Sequence, residues 1–135
     1  MMEKIEHIGI AVHSLEIAIP LYEKLLNTPC YKTEVVENQG VETAFFMTGP
    51  NKIELVAPTK ADSPIAKYLE KKGEGIHHYA FLVSDIRAEI ARLEQEGFVC
   101  INREPSPGAD GMEIVFLHPK HTLGNLIELC QPIQQ

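Results

Sequence analysis

The stretch His7-Ile8-Gly9-Ile10-Ala11-Val12-His13-Ser14-Leu15 returns later in the chain as His78-Tyr79-Ala80-Phe81-Leu82-Val83-Ser84-Asp85-Ile86. Each copy opens on His, runs through five small or apolar residues, and reaches a polar cap before a helical pattern. An apolar run of that length, ended by a cap, reads as a buried strand feeding a helix. A second echo follows. Ile53-Glu54-Leu55-Val56-Ala57-Pro58 and Ile127-Glu128-Leu129-Cys130-Gln131-Pro132 share four of six residues. Their interval is about three residues longer than that between the histidines, so one unit is duplicated with a short loop insertion.

Working outward, each unit repeats one order of elements. Residues 5–12 and 76–83 are the opening strands. Ser14 and Asp85 cap the helices that follow. In the first helix Leu15, Ala18, Tyr22, Leu25 and Leu26 fall on one face; in the second, Ile86, Ile90 and Leu93 do, and Gly97 ends it. Pro20 lies in the second turn of the first helix, where an interior proline costs ~3 kcal/mol, so the pattern predicts a kink or a later start. Strands then follow at 30–37, 41–48 and 52–57 in the first unit, and at 98–103, 112–117 and 124–130 in the second. Residues 104–111 form a loop rich in proline and glycine. Ser63-Pro64 opens a helix between the units, with Ile65, Tyr68 and Leu69 as its apolar face. The expected class is α+β: two tandem βαβββ modules in an open, pseudo-twofold, β-barrel-like sheet. The chain reads as one domain over residues 1–135, with modules at about 4–58 and 75–131 and a linker helix at about 62–73.

The 135 residues carry 12 Lys and Arg against 19 Asp and Glu, a formal charge of −7. A net acidic chain with no basic run is a poor partner for nucleic acid or an anionic membrane. It can still hold a small anionic ligand on a local basic patch. No run approaches the roughly 18 apolar residues of a membrane span. The N-terminus has no apolar core of signal-peptide length, and the expected location is the cytoplasm. Cys30, Cys100 and Cys130 are odd in number and lack CxxC spacing, as reduced thiols would be.

The repeat sets one His and one Glu in each half: His7 with Glu54, His78 with Glu128. A lone strand Glu is usually solvated, and a lone strand His is usually a satisfied core residue. Duplication alters that balance, because a pseudo-twofold axis would carry both copies of each to one site. Two imidazoles and two carboxylates suit a divalent transition ion such as Co, Ni, Zn, Mn or Fe, and leave octahedral positions open.

The paired βαβββ pattern resembles the vicinal oxygen chelate superfamily, which includes glyoxalase I and extradiol dioxygenases. Within it, Glu6-His7-Ile8-Gly9-Ile10-Ala11-Val12, Gln39-Gly40-Val41, Asp62-Ser63-Pro64-Ile65-Ala66-Lys67, Gly73-Glu74-Gly75-Ile76-His77-His78, Phe116-Leu117-His118-Pro119-Lys120 and Leu126-Ile127-Glu128-Leu129 are similar to the methylmalonyl-CoA epimerase family. The resemblance implies a metal-dependent isomerase that interconverts the 2R and 2S epimers of a CoA thioester through α-proton abstraction and an enolate. It implies His7, Glu54, His78 and Glu128 as metal ligands, with cobalt first among the candidate ions and Zn, Ni or Mn as alternatives. It also implies a homodimer.

Glu128 is the first candidate base, since a ligand carboxylate can also reach the substrate carbon. The second base is open. A relative has Glu in the strand after Gln-Gly-Val, where this chain has Thr43. Glu54 is the leading substitute, and Glu42, one residue from Thr43, would need a bulge to turn inward. Thr43 and Lys120 are candidate substrate contacts, Lys120 for a CoA phosphate or the substrate carboxylate. His77, on the opposite strand face from His78, reads as structural. Two alternatives stand beside the epimerase: a glyoxalase I-type lactoylglutathione lyase, and a non-catalytic small-molecule binding module of the same fold.

Overall fold

A computed structural model describes residues 1–134. The elements run in chain order as β1 (Met2–Ala11), α1 (Leu15–Leu26), β2 (Lys32–Val36), β3 (Val41–Thr48), β4 (Asn51–Pro58), α2 (Pro64–Lys72), β5 (Gly75–Val83), α3 (Ile86–Gln95), β6 (Ser106–Pro107), β7 (Met112–Leu117) and β8 (Ile127–Pro132). This is βαβββ, helix, βαβββ, in the α+β class expected. The chain divides into two compact units: residues 7–77, and residues 1–6 with 78 onward. Strand β1 thus contributes its first residues to the second unit and its remainder to the first.

In the first unit the strand order is β2-β3-β4-β1. β2, β3 and β4 are antiparallel neighbours, while β1 runs parallel to β4 with His7 opposite Lys52 and Gly9 opposite Glu54. One face of this sheet carries Ala44, Phe46, Leu55 and Ala57, all buried with Val12 and with Leu15 and Ala18 of α1. Helix α1 starts where Ser14 accepts a hydrogen bond from the Ile17 N–H, and stops at Asn27 in the left-handed region. Pro20 does not delay this start. It sits inside α1 on the exposed side, so the Glu16 carbonyl that loses its helical partner lies where solvent can reach it. Leu25 departs from the expected buried face. It is 70% exposed, because the packed stripe runs through Leu15, Ala18, Ile19, Tyr22 and Leu26.

The second unit repeats the plan, with strand order β5-β8-β7-β6. β5 runs parallel to β8, and β8 antiparallel to β7. Ile86, Ile90 and Leu93 of α3 pack on Val83, Val115, Leu117 and Leu129, with Met2 and Phe81 at the margin. The strand expected at 98–103 is corrected. Residues 98–101 run beside β7 through Ile101 N–H to Phe116 O at 2.8 Å and one isolated bridge, Cys100 to Leu117. Pairing then stops and resumes only at Ser106–Pro107. The chain bends through residues 101–104 and Pro105 brings no N–H to a ladder, so continuous pairing is broken there. The last strand also begins later than expected, at Ile127, because residues 118–126 are folded into a 3-10 turn and loop.

Glu89 of α3 is buried, and its carboxylate accepts bonds from the Arg92 guanidinium at 3.0 and 3.3 Å and from the Met1 amino group. Hydrogen bonds from Arg92 and then from the amino terminus hold its carboxyl below the ordinary glutamate value. A carboxylate depressed in the native state stabilises fully above its unfolded pKa of about 4.3 and loses that contribution as pH falls through the lower native value. Glu89→Gln is therefore expected to cost about 1–2 kcal/mol at pH 7, with the gap to the parent protein narrowing below pH ~4. Urea melts at pH 7 and pH 3 measure both numbers.

Candidate active site

Strand pairing decides which side chains share the open face of each sheet, because residues opposite one another point the same way. In the first unit, one row across β2, β3, β4 and β1 reads Lys32, Phe45, Glu54, Gly9. The next reads Glu34, Thr43, Val56, Ala11. These residues and His7 lie on the face turned away from α1. His7 Nε2 is 3.3 Å from Glu54 Oε1, and both side chains are buried.

The second unit repeats this geometry. Glu128 of β8 stands opposite Ala80 of β5 and Phe116 of β7. His78 Nε2 is 3.3 Å from Glu128 Oε1, again between buried side chains. The His78 ring meets the Phe116 ring edge-on at 5.7 Å. Around them Ala80, Ile114 and Cys130 form a small apolar cluster on the face away from α3.

The two pairs fit a metal on donor chemistry and spacing. Two ligands about 2.1 Å from one ion, at angles between 90° and 109°, stand roughly 3.0–3.4 Å apart. The 3.3 Å separation in each unit falls within that range. The donors are imidazole nitrogen and carboxylate oxygen, which suit Co, Zn, Ni or Mn. Burial raises the cost of leaving such carboxylates without a cation.

Two phenylalanines were not separable as site residues in the sequence. Phe45 stands directly opposite Glu54, and Phe116 directly opposite Glu128. Phe46 and Phe81 instead lie on the helix side of their sheets. The signal was available: Phe45 and Phe116 are separated by the same interval as His7 and His78. Each walls its carboxylate with an apolar ring, and Lys52 Nζ lies 5.9 Å from the Phe45 ring centre.

Thr43 is almost completely buried, and its hydroxyl donates to the Glu34 carbonyl at 3.3 Å. Glu42 lies on the other face. β3 pairs with β4 from Val41 to Thr48 without a bulge, so Glu42 shares its side with Ala44 and Phe46. That start is set by Gly40, which closes a 3-10 turn at φ 66° with space for no more than a hydrogen beside Ser63. Lys120 is exposed in the 3-10 turn after β7, where its N–H donates to His118 Nδ1. His77 packs edge-on against Tyr68 of α2, with ring centres 4.7 Å apart. The three cysteines are free thiols, and burial, with Glu94 nearby, pushes the Cys100 thiol up, away from nucleophile chemistry. No helix among the described residues is long and apolar enough to cross a membrane.

Residues 6–116 match the model of the glyoxalase/bleomycin resistance protein/dioxygenase superfamily. An ethylmalonyl-CoA/methylmalonyl-CoA epimerase of Cereibacter sphaeroides is 42% identical over 134 residues, covering 97% of this chain and 99% of that one. The human mitochondrial methylmalonyl-CoA epimerase is 36% identical over 129 residues, covering 95% and 73%. Among solved structures, a variant of Streptomyces coelicolor methylmalonyl-CoA epimerase in complex with 2-nitronate-propionyl-CoA has a TM-score of 0.94 at 37% identity, covering 98% and 96%.

Proposed function

Since the chain belongs to the glyoxalase/bleomycin resistance protein/dioxygenase superfamily, we propose that it is a methylmalonyl-CoA epimerase working as one domain, with His7, Glu54, His78 and Glu128 holding one divalent ion. The observation that carries this is the repeated buried pair: His Nε2 at 3.3 Å from Glu Oε1 in each unit. A pair intact in both copies speaks against a non-catalytic binding module, in which one copy would be free to decay. The epimerase names among relatives that align over nearly the whole chain favour this reading over the lactoylglutathione lyase.

The chemistry follows from the substrate. Its α-carbon lies between a carboxylate and a thioester, and losing the α-proton puts negative charge on the thioester oxygen. A divalent ion, cobalt first among those suited to these donors, would supply Lewis-acid stabilisation of that charge. The side chains do the rest. Glu128 takes the α-proton and a second group returns one from the other side. Phe45 and Phe116 keep water from the carboxylates they flank. Lys120, exposed after β7, is placed to meet a phosphate of the CoA portion. The working form is a cytoplasmic homodimer.

The test uses purified protein reconstituted with Co²⁺ in D₂O. Each methylmalonyl-CoA epimer is expected to take up deuterium at the α-carbon and to appear as the other. Metal-replete protein that exchanges no α-proton while turning over the hemithioacetal of glutathione and methylglyoxal would move the assignment to the lyase.

A further inference from the structure

We propose that the outer face of α1 is the surface on which two copies of this chain pair, each α1 lying antiparallel against the other. Two adjacent ridges, each of residues spaced by four, make up this face. Ile17, Leu21 and Leu25 form one, and Glu16, Pro20 and Lys24 the other. All six are exposed, Ile17 by 75%, Leu21 by 60% and Leu25 by 70%. The opposite side of α1 already packs on its own sheet through Leu15, Ala18, Ile19, Tyr22 and Leu26. A surface helix is ordinarily apolar on one side and polar on the other, and α1 carries a second apolar stripe.

The duplicated unit shows that the fold does not require this stripe. Ser14 and Asp85 cap α1 and α3 at the same place. The inward-facing Leu15, Ala18 and Tyr22 of α1 then match Ile86, Glu89 and Leu93 of α3. On the outer face Ile17, Leu21 and Leu25 match Ala88, Arg92 and Glu96, which are exposed as well. The outer side of α3 is thus small and charged, as suits a helix that meets water. The same side of α1 holds three large aliphatic side chains.

The charges choose the occupant. Glu16 stands at one end of the stripe and Lys24 at the other. A second α1 running antiparallel sets Glu16 beside Lys24 of the second copy, and the two-fold axis repeats that pair. It also sets Ile17 beside Leu25 of the second copy, with Pro20 and Leu21 at the axis. The charged and apolar pairings centre within one residue of each other, about 1.5 Å along the helix. Meshing of such four-residue ridges is the commonest packing of two helices. A parallel second copy would instead set Glu16 against Glu16 and Lys24 against Lys24. The face therefore complements itself in one orientation. It gives the proposed homodimer a surface and does not depend on the reaction assigned above.

The test is the mass of the full-length, metal-loaded protein in solution, by light scattering and sedimentation. The parent is expected to be a dimer. Leu21→Arg, which installs the residue α3 has at that place, is expected to weaken the dimer at least 100-fold with the far-UV spectrum unchanged. Glu16→Lys and Lys24→Glu are each expected to weaken it about tenfold, and the two together to restore it. Orientation is read by cross-linking against the parent as control. Leu21→Cys is expected to form a disulfide with its own copy under mild oxidation. Leu25→Cys is expected to do so only when mixed with Ile17→Cys, and this readout removes no charge and little bulk. A dimer that survives Leu21→Arg overturns the proposal, as does Leu25→Cys linking readily to itself. A monomeric parent that still inverts methylmalonyl-CoA overturns the pairing and leaves the epimerase reading standing.

Discussion

Glu128→Gln is expected to abolish measurable inversion, with a loss of about 10³-fold or more, while the protein stays folded. The substitution keeps the shape of the side chain and removes its charge. On the proposed assignment, two functions go together. A buried carboxylate beside His78 Nε2 is lost as a donor, and affinity for the divalent ion falls. The proton acceptor is also lost, and acid–base groups of this kind contribute 10²–10⁴ in rate. The two effects separate under saturating Co²⁺. Metal content measured by elemental analysis is expected to recover, while α-proton exchange of the epimer that Glu128 serves does not. Full activity on metal repletion would show Glu128 to be a ligand and nothing more.

Phe46→Ala is expected to have the largest effect on stability, about 3–5 kcal/mol, typical of a fully buried aromatic truncated in a packed core. Phe46 has no exposed surface, lies under α1 with Leu55 and Ala44, and meets Tyr22 at 6.3 Å between ring centres. A loss of that size removes about a fifth or more of the 5–15 kcal/mol that a domain usually holds. Phe45, its neighbour in β3, points the other way. Phe45→Ala is therefore expected to spare more of the stability and to act first on the metal-dependent exchange. Denaturant midpoints for the pair, with activity measured on each, distinguish the two faces of one strand.

The duplicated unit was legible because its strands and helices announce themselves by different periods and by caps such as Ser14, Ser63 and Asp85. The His and Glu positions were legible because they recur. What could not be read was anything that depends on which residue stands across from which. Glu42 and Thr43 differ by one place in sequence, and only an unbulged pairing from Val41 to Thr48 assigns them to opposite faces. The failed strand at 98–103 has a different cause. Its Val and Ile satisfied a local pattern, while the bend at residues 101–104 and Pro105 limited how far pairing could extend.

The division of β1 bears on how the chain is assembled during synthesis. Residues 1–6 are synthesised before residues 7–77, yet they belong with a unit that begins at residue 78. Met2 packs at the margin of the core built on Leu129, which is made more than a hundred residues later. The unit of residues 7–77 can therefore close while translation continues, and residues 1–6 wait until Leu129 has been made. Parallel pairing of β5 with β8 adds to the delay, since contacts of long sequence separation form slowly. Stalled nascent chains would carry a protected β3–β4 hairpin and residues 1–6 still open to protease, which become protected only when β8 is released.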